Sequence, residues 1–173
     1  AQFEQQEGPQ PTLPPLLFHA VVTGDTTALS DWAQGLVLDS ADTTFFNFTA
    51  SHDGIGIRPL EGLLPQEDIN KLLEDMRARG GFISTRRDDH GNDVPYEINI
   101  TYFDAFRSPG NRSEPWQIPR FLLSQTVSIS LRGIPGLYFN SLLATANDLL
   151  KVEVSGATRS INRHHWDYDE LNA

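Results

Sequence analysis

His52 and Asp53 are the neighbours in this sequence with the clearest chemical potential. Gly54, Ile55 and Gly56 follow them, and the β-branched, aromatic stretch 43–51 leads into them. A fixed carboxylate beside developing positive charge can stabilise a transition state by several kcal/mol, on the order of what one preorganised donor supplies. Alone, a His–Asp pair in a turn is most often a helix cap or a surface feature. Its context reverses that weighting. A central strand ending in charged residues and glycines has the form of the catalytic rim of a parallel α/β fold. The Gly54-Ile55-Gly56 run is too short to be a phosphate-cradling loop.

Other chemistry-bearing groups rank lower. His164 and His165 lie beside Asp167 and Asp169. Adjacent histidines diverge on a strand and sit about 100° apart on a helix, so they rarely share one ion. A polar helix start is the better reading, and no metal site is expected. Arg58, Arg86, Arg87, Arg107 and Arg112 fall in loops and could make local basic ground, though each singly reads as solvated surface. Asn47, Asn99 and Asn111 open Asn-x-Ser/Thr sequons; the first two lie inside apolar segments where a glycan does not fit.

The elements that must position these groups are legible in part. Residues 1–12 are polar and carry Gly8, Pro9 and Pro11, which reads as a frayed start. Pro14 and Pro15 head an apolar run, 13–22, suited to the first turn of a buried helix. A short helix is expected over about 27–35, with Leu29, Trp32 and Ala33 on one face. Residues 43–51 read as a strand buried on both faces. After a loop at 57–65, residues 66–79 spell an amphipathic helix with Ile69, Leu72, Leu73 and Met76 inward. Strands are expected at 82–85 and 96–103, joined by the turn-rich 88–92. A polar loop at 105–116, a helix at 118–131 and a short buried strand at 133–139 follow. Residues 140–173 are polar and mixed, and Tyr168–Leu171 reads as the start of another helix.

Composition narrows the function classes. The 173 residues are 39% hydrophobic and 10% aromatic, enough for one globular core. The formal net charge of −10 disfavours nucleic acid and anionic membranes as partners, because both need a basic face. No apolar run approaches the roughly 18 residues of a membrane helix, and the first ten residues have no secretory-signal pattern. Without cysteine there is no disulfide scaffold or thiolate metal site, and a reducing, cytoplasmic location is the expectation.

Strand, His-Asp, inserted block, helix and Gly-Ile-Pro strand is an order similar to that of the late barrel of α-amylase-family enzymes. Residues 13–17 (LPPLL), 46–62 (FNFTASHDGIGIRPLEG), 95–105 (PYEINITYFDA) and the stretch from Gly133 to Arg163 most resemble the sucrose-phosphorylase subfamily, which includes sucrose-6-phosphate and glucosylglycerate phosphorylases. The resemblance implies an α/β fold: a partial (β/α)8 TIM barrel with late strands 7 and 8, carrying an inserted small α+β subdomain. Its division would be 1–56 for late barrel helices and strand 7, 57–117 for the insertion, and 118–173 for the last helix, strand and following loop. The first six strands would precede residue 1, together with the nucleophilic aspartate and the acid/base glutamate.

The same resemblance implies a retaining glucosyl transfer in which phosphate resolves the glucosyl-enzyme intermediate. Asp53 matches the transition-state-stabilising carboxylate, His52 the adjoining sugar-binding histidine, and Arg163 an arginine of the glucose subsite. Gln117, in a proline-bounded loop nearer the relatives with phosphorylated or acidic acceptors, is a candidate acceptor contact. Asn147-Asp148 matches a family pair of no clear role. No cofactor is implied beyond inorganic phosphate as co-substrate; the partners would be an α-glucoside, phosphate, and either the missing barrel half or a second copy. An α-glucoside hydrolase of the same fold and a non-catalytic truncated piece are the alternatives. The piece alone is expected to be inactive.

Overall fold

The computed structural model describes residues 8–38, 40, 42–110 and 114–172. In chain order these form β1 (Gly8–Pro9), α1 (Leu13–Thr23), α2 (Thr27–Gln34), β2 (Phe45–Phe48), β3 (Ile55–Gly56), α3 (Gln66–Ala78), β4 (Phe82–Arg87), β5 (Asp93–Asn99), α4 (Tyr102–Ala105), α5 (Gln117–Ser130), β6 (Ile134–Gly136), α6 (Phe139–Leu142), α7 (Leu149–Ser155) and α8 (Tyr168–Leu171). Short 3-10 turns occupy Arg58–Leu60 and Thr158–Asn162.

Two three-stranded sheets result. The first is wholly parallel, in the order β1-β2-β6, with Phe46 opposite both Pro9 and Ile134. The second is antiparallel, in the order β3-β5-β4. The α/β character is as expected, with two corrections to the parallel part. Gly8 and Pro9, expected within a frayed start, form a third parallel strand; residues 1–7 lie outside the described residues. Pro9 is tolerable because β1 is an edge, where one ladder face needs no N–H. And β2 is not buried on both faces. Phe45 and Asn47 are buried, whereas Phe46 is 44% exposed. Side chains alternate across a strand, and α1 and α5 cover only one side.

The helix α1 is the hub. Eight successive residues, Leu13 to Ala20, are buried, so it is enclosed all round rather than striped. Its prolines sit at the first turn, and Gly24 ends it in the left-handed region at φ 78°. One apolar cluster joins α1 to α3, β5, α4 and α5, running across residues 56/57 and 117/118. Phe106 stands at its centre, fully buried, with Phe18 at 5.3 Å and Tyr102 at 5.2 Å between ring centroids. Phe106→Ala is expected to cost about 3–5 kcal/mol in equilibrium urea unfolding, from lost transfer energy plus a cavity.

Three further expectations need correcting. Residues 102 and 103, read as the end of a strand, begin α4 instead: the Thr101 side chain accepts the Asp104 N–H and caps the turn. The strand at 133–139 shortens to Ile134–Gly136, and Ile134 is 58% exposed rather than buried. The polar tail contains α6 and α7 as well as α8. Among the described residues no helix is long and apolar enough to cross a membrane.

Candidate functional site

Beyond β2 the chain turns through Ser51, His52, Asp53 and Gly54 and enters β3 of the second sheet. The turn is held from several directions. Ser51 Oγ accepts the Asp53 N–H at 3.1 Å. Buried Asn162 donates its amide to the carbonyls of Ser51 (3.0 Å) and Asp53 (2.7 Å). Arg163 Nε donates to the His52 carbonyl at 2.8 Å. Gly54 is required here: a Cβ would stand 2.5 Å from the Ile98 carbonyl oxygen and 2.6 Å from Glu97 Cγ.

The Asp53 carboxylate is itself gripped. Its Oδ1 lies 3.0 Å from Arg163 Nη2 and 3.2 Å from Arg159 Nη1. Its Oδ2 has His52 Nε2 at 3.7 Å. Arg159 in turn makes a forked pair with buried Glu97, Nε to Oε1 at 2.9 Å and Nη2 to Oε2 at 2.6 Å, and donates to the Tyr96 hydroxyl at 2.7 Å. Hydrogen bonding and charge from Glu97 hold the Arg159 guanidinium above the usual arginine range. Two cations and two carboxylates therefore face one another across the turn.

Space lies on both sides. A cavity of about 130 Å³, lined by Phe48, Asp53, Gly54 and Tyr102, sits on the buried side. An open hollow of about 380 Å³ lies over Phe46, Phe48, His52 and Tyr138 on the uncovered side of β2. There Phe46 covers Gly136 so closely that a Cβ would meet its ring at 2.4 Å. Tyr138 donates its hydroxyl to the Asn162 carbonyl at 2.8 Å. Burial pushes its phenol up, partly offset by Asn140 and Arg163.

Thus His52, Asp53 and Arg163 come together. Gln117 does not join them. Its side chain is buried at the start of α5, and its amide N–H groups go to the Phe103 carbonyl and the Asp104 carboxylate. The structure gives it a packing task in place of the expected acceptor contact. Arg107 pairs with Asp104 and Arg87 with Asp93, so these two do not pool their charge; Arg112 lies outside the described residues. Asn47 and Asn99 are fully buried, which leaves no room for a glycan; Asn111 lies outside the described residues.

Sequence reasoning missed Arg159, Glu97, Tyr96 and Asn162. One signal pointed to Arg159: it stands four residues before Arg163, and the two bracket a single short 3-10 turn. Glu97 gave none, because it meets Arg159 across 62 residues of chain.

Asn147 and Asp148 act in local architecture. Asn147 Oδ1 accepts the backbone and hydroxyl of Thr101, while Asp148 caps α7 and pairs with His164 Nδ1 at 2.9 Å. Burial raises the Asp148 carboxyl, but hydrogen bonds from His164 and Lys151 and their charges win and set it below its ordinary 3.8. Because the folded value is depressed, this stability is present above pH 3.8 and lost as pH falls through the lower folded value. Asp148→Asn should therefore lower the urea midpoint at pH 7, and the gap to the parent should narrow as pH falls below 3.8; a pH-independent gap would contradict this.

No family model matches the chain. Individual relatives do. Over 160 residues the chain is 43% identical to a glucosylglycerate phosphorylase of Escherichia coli (strain K12), covering 92% of this chain and 28% of that protein. It is 30% identical to a sucrose phosphorylase of Agrobacterium vitis, covering 92% of this chain and 32% of the relative. A crystal structure of sucrose 6F-phosphate phosphorylase from Thermoanaerobacter thermosaccharolyticum shares the fold, with a TM-score of 0.78 at 23% identity, over 92% of this chain and 31% of that one. The chain thus spans under a third of the length of the curated relatives it matches. Along nearly all its own length, then, the homologues of this chain are phosphorylases that act on glucosylglycerate and sucrose by name.

Proposed function

We propose that this chain is the C-terminal part of the catalytic barrel of a retaining α-glucosyl phosphorylase. In this reading β2 and β6 are barrel strands 7 and 8, β1 is the end of the strand before them, and 57–117 is an inserted subdomain. The observation that carries it is the Asp53 carboxylate just beyond the carboxyl end of a parallel strand, with Oδ1 facing two guanidiniums and the residue lining a cavity of about 130 Å³. That is where barrel enzymes keep their chemistry.

Retaining transfer needs a nucleophilic carboxylate and an acid/base carboxyl, both of which the remainder of the protein would supply. The nucleophile displaces the aglycone from the sugar's anomeric carbon while the acid protonates the leaving oxygen. A phosphate oxygen then displaces the nucleophile, giving glucose 1-phosphate. Asp53 serves both steps by binding sugar hydroxyls and by its fixed charge beside the oxocarbenium-like ring. His52 and Arg163 line the same glucose subsite.

Stronger likeness to glucosylglycerate phosphorylase than to sucrose phosphorylase makes glucosylglycerate the first donor to try. The test assays the full-length protein with glucosylglycerate or sucrose, with and without phosphate. Glucose 1-phosphate released only with phosphate is the expected result, with none from residues 1–173 alone. Free glucose at the same rate without phosphate would make the protein a hydrolase and overturn the reading.

A further inference from the structure

We infer that Arg159 is a positioning residue for the Asp53 carboxylate, and that the inserted hairpin holds it in that role through Glu97 and Tyr96. The inference rests on the function proposed above and extends it to residues of the second sheet.

The first argument is geometric. The Asp53 side chain is 42% exposed, so its own surroundings do little to fix the carboxylate plane. Two cations on one oxygen constrain it: Arg163 Nη2 donates to Oδ1 at 3.0 Å, and Arg159 Nη1 adds an ion pair at 3.2 Å. Arg163 and Arg159 meet Oδ1 from residues four apart on the Thr158–Asn162 turn and its end. Oδ2 is left beside His52 Nε2, at 3.7 Å. Either arginine alone would leave the carboxylate free to swing.

The second argument concerns what holds Arg159. Its Nε and Nη2 are committed to Glu97 in a planar fork, Nη2 also serves Tyr96, and only Nη1 reaches Asp53. A forked pair fixes direction as well as distance. Lysine, with one ammonium group, cannot span the same three partners. Glu97 is nearly inaccessible on β5, which is bonded to β4 on one side and to β3 on the other. The rigid hairpin is therefore the fixed end of the relay and Asp53 its working end.

The third argument is charge. Two guanidiniums on one carboxylate would neutralise the anion that the reaction needs. Glu97 offsets Arg159, so Arg159 can orient Asp53 without cancelling its field. Gly54 lets the turn lie directly on Glu97, which keeps the relay short.

A plain structural pair tying the hairpin to the turn would use the same bonds, so the test must separate the two roles. In the full-length enzyme, Arg159→Met is expected to lower kcat by about 10–100-fold, the scale of a small misplacement of a reacting group, with KM within about threefold. The same change made on top of Asp53→Asn should cost less than about threefold more, because its effect runs through that carboxylate. Arg159→Lys, the milder variant should the methionine variant not fold, should lose an intermediate amount of kcat and show the same dependence on Asp53. Equal loss in both backgrounds, loss confined to KM and thermal stability, or no loss would overturn the inference while leaving the phosphorylase reading intact. A wild-type enzyme without phosphate-dependent glucosyl transfer would overturn both.

Discussion

Asp53→Asn in the full-length protein is expected, on the function proposed above, to reduce kcat for phosphate-dependent glucosyl transfer by roughly 10²–10³-fold, the scale of removing one preorganised electrostatic partner. The substitution isolates charge from shape. Asparagine keeps the volume and an oxygen that can still accept from Arg159 and Arg163. It loses the negative charge that the proposed function places beside the sugar ring, and it puts an amide nitrogen in place of the oxygen beside His52. Charge matters most where positive character develops, so the loss should fall on kcat more than on KM. Stability should change little, because Asp53 and its two arginine partners are each about 40% exposed and such pairs contribute weakly to folding. Steady-state release of glucose 1-phosphate, paired with a thermal melt, checks both halves. An asparagine variant with parental kcat would remove Asp53 from the mechanism.

What could be read from the residues, and what could not, follows from how far each signal travels along the chain. The strand before His52 is local: aromatic and β-branched residues from 43 to 51 announce it, and the glycines after Asp53 announce the rim. The amphipathic α3 is equally local, and its inward residues are the ones the spacing picks. By contrast β1 has two residues and owes its existence to a partner 37 positions away, Phe45 against Gly8, so no pattern within it could reveal it. Tyr102 and Phe103 look like strand because aromatics favour strands. They form a helical turn because Thr101 is tied to Asn147 and caps Asp104. At the site, Asp53 and His52 were legible because they end an element. Glu97 was not, since a glutamate between Tyr96 and Ile98 reads as a solvated strand position, and it is Arg159, 62 residues on, that pairs with it in the interior. Gln117 was misjudged for a related reason: a polar residue at a loop end reads as exposed, and only the buried carboxylate of Asp104 makes it an inside residue.

The same physics makes the isolated 173-residue chain sticky. One face of the β1-β2-β6 sheet and the elements beside it carry Phe46, Ile134, Leu137, Phe139 and Leu142, each 44–65% exposed. Among the described residues, β1 and β6 also stand as the two edges of a parallel sheet. Parallel sheets are stable when both faces are covered, and open edges offer unpaired backbone to any other strand. The curated relatives are more than three times as long, and in the proposed barrel the additional length would be the natural cover for this face. Expressed alone at tens of micromolar, the chain should run in light scattering well above its 19.3 kDa monomer mass and associate further with concentration. Phe46→Ser with Leu137→Ser should shift it toward the monomer, because both side chains line the open hollow and contribute apolar area without supporting the α1 core. On the proposed function, a full-length protein should not show this association through the same face, because a closed barrel would cover it. A monodisperse 19.3 kDa species at high concentration would mean that the uncovered face is not an interior face, and the barrel placement of β2 and β6 would fall with it.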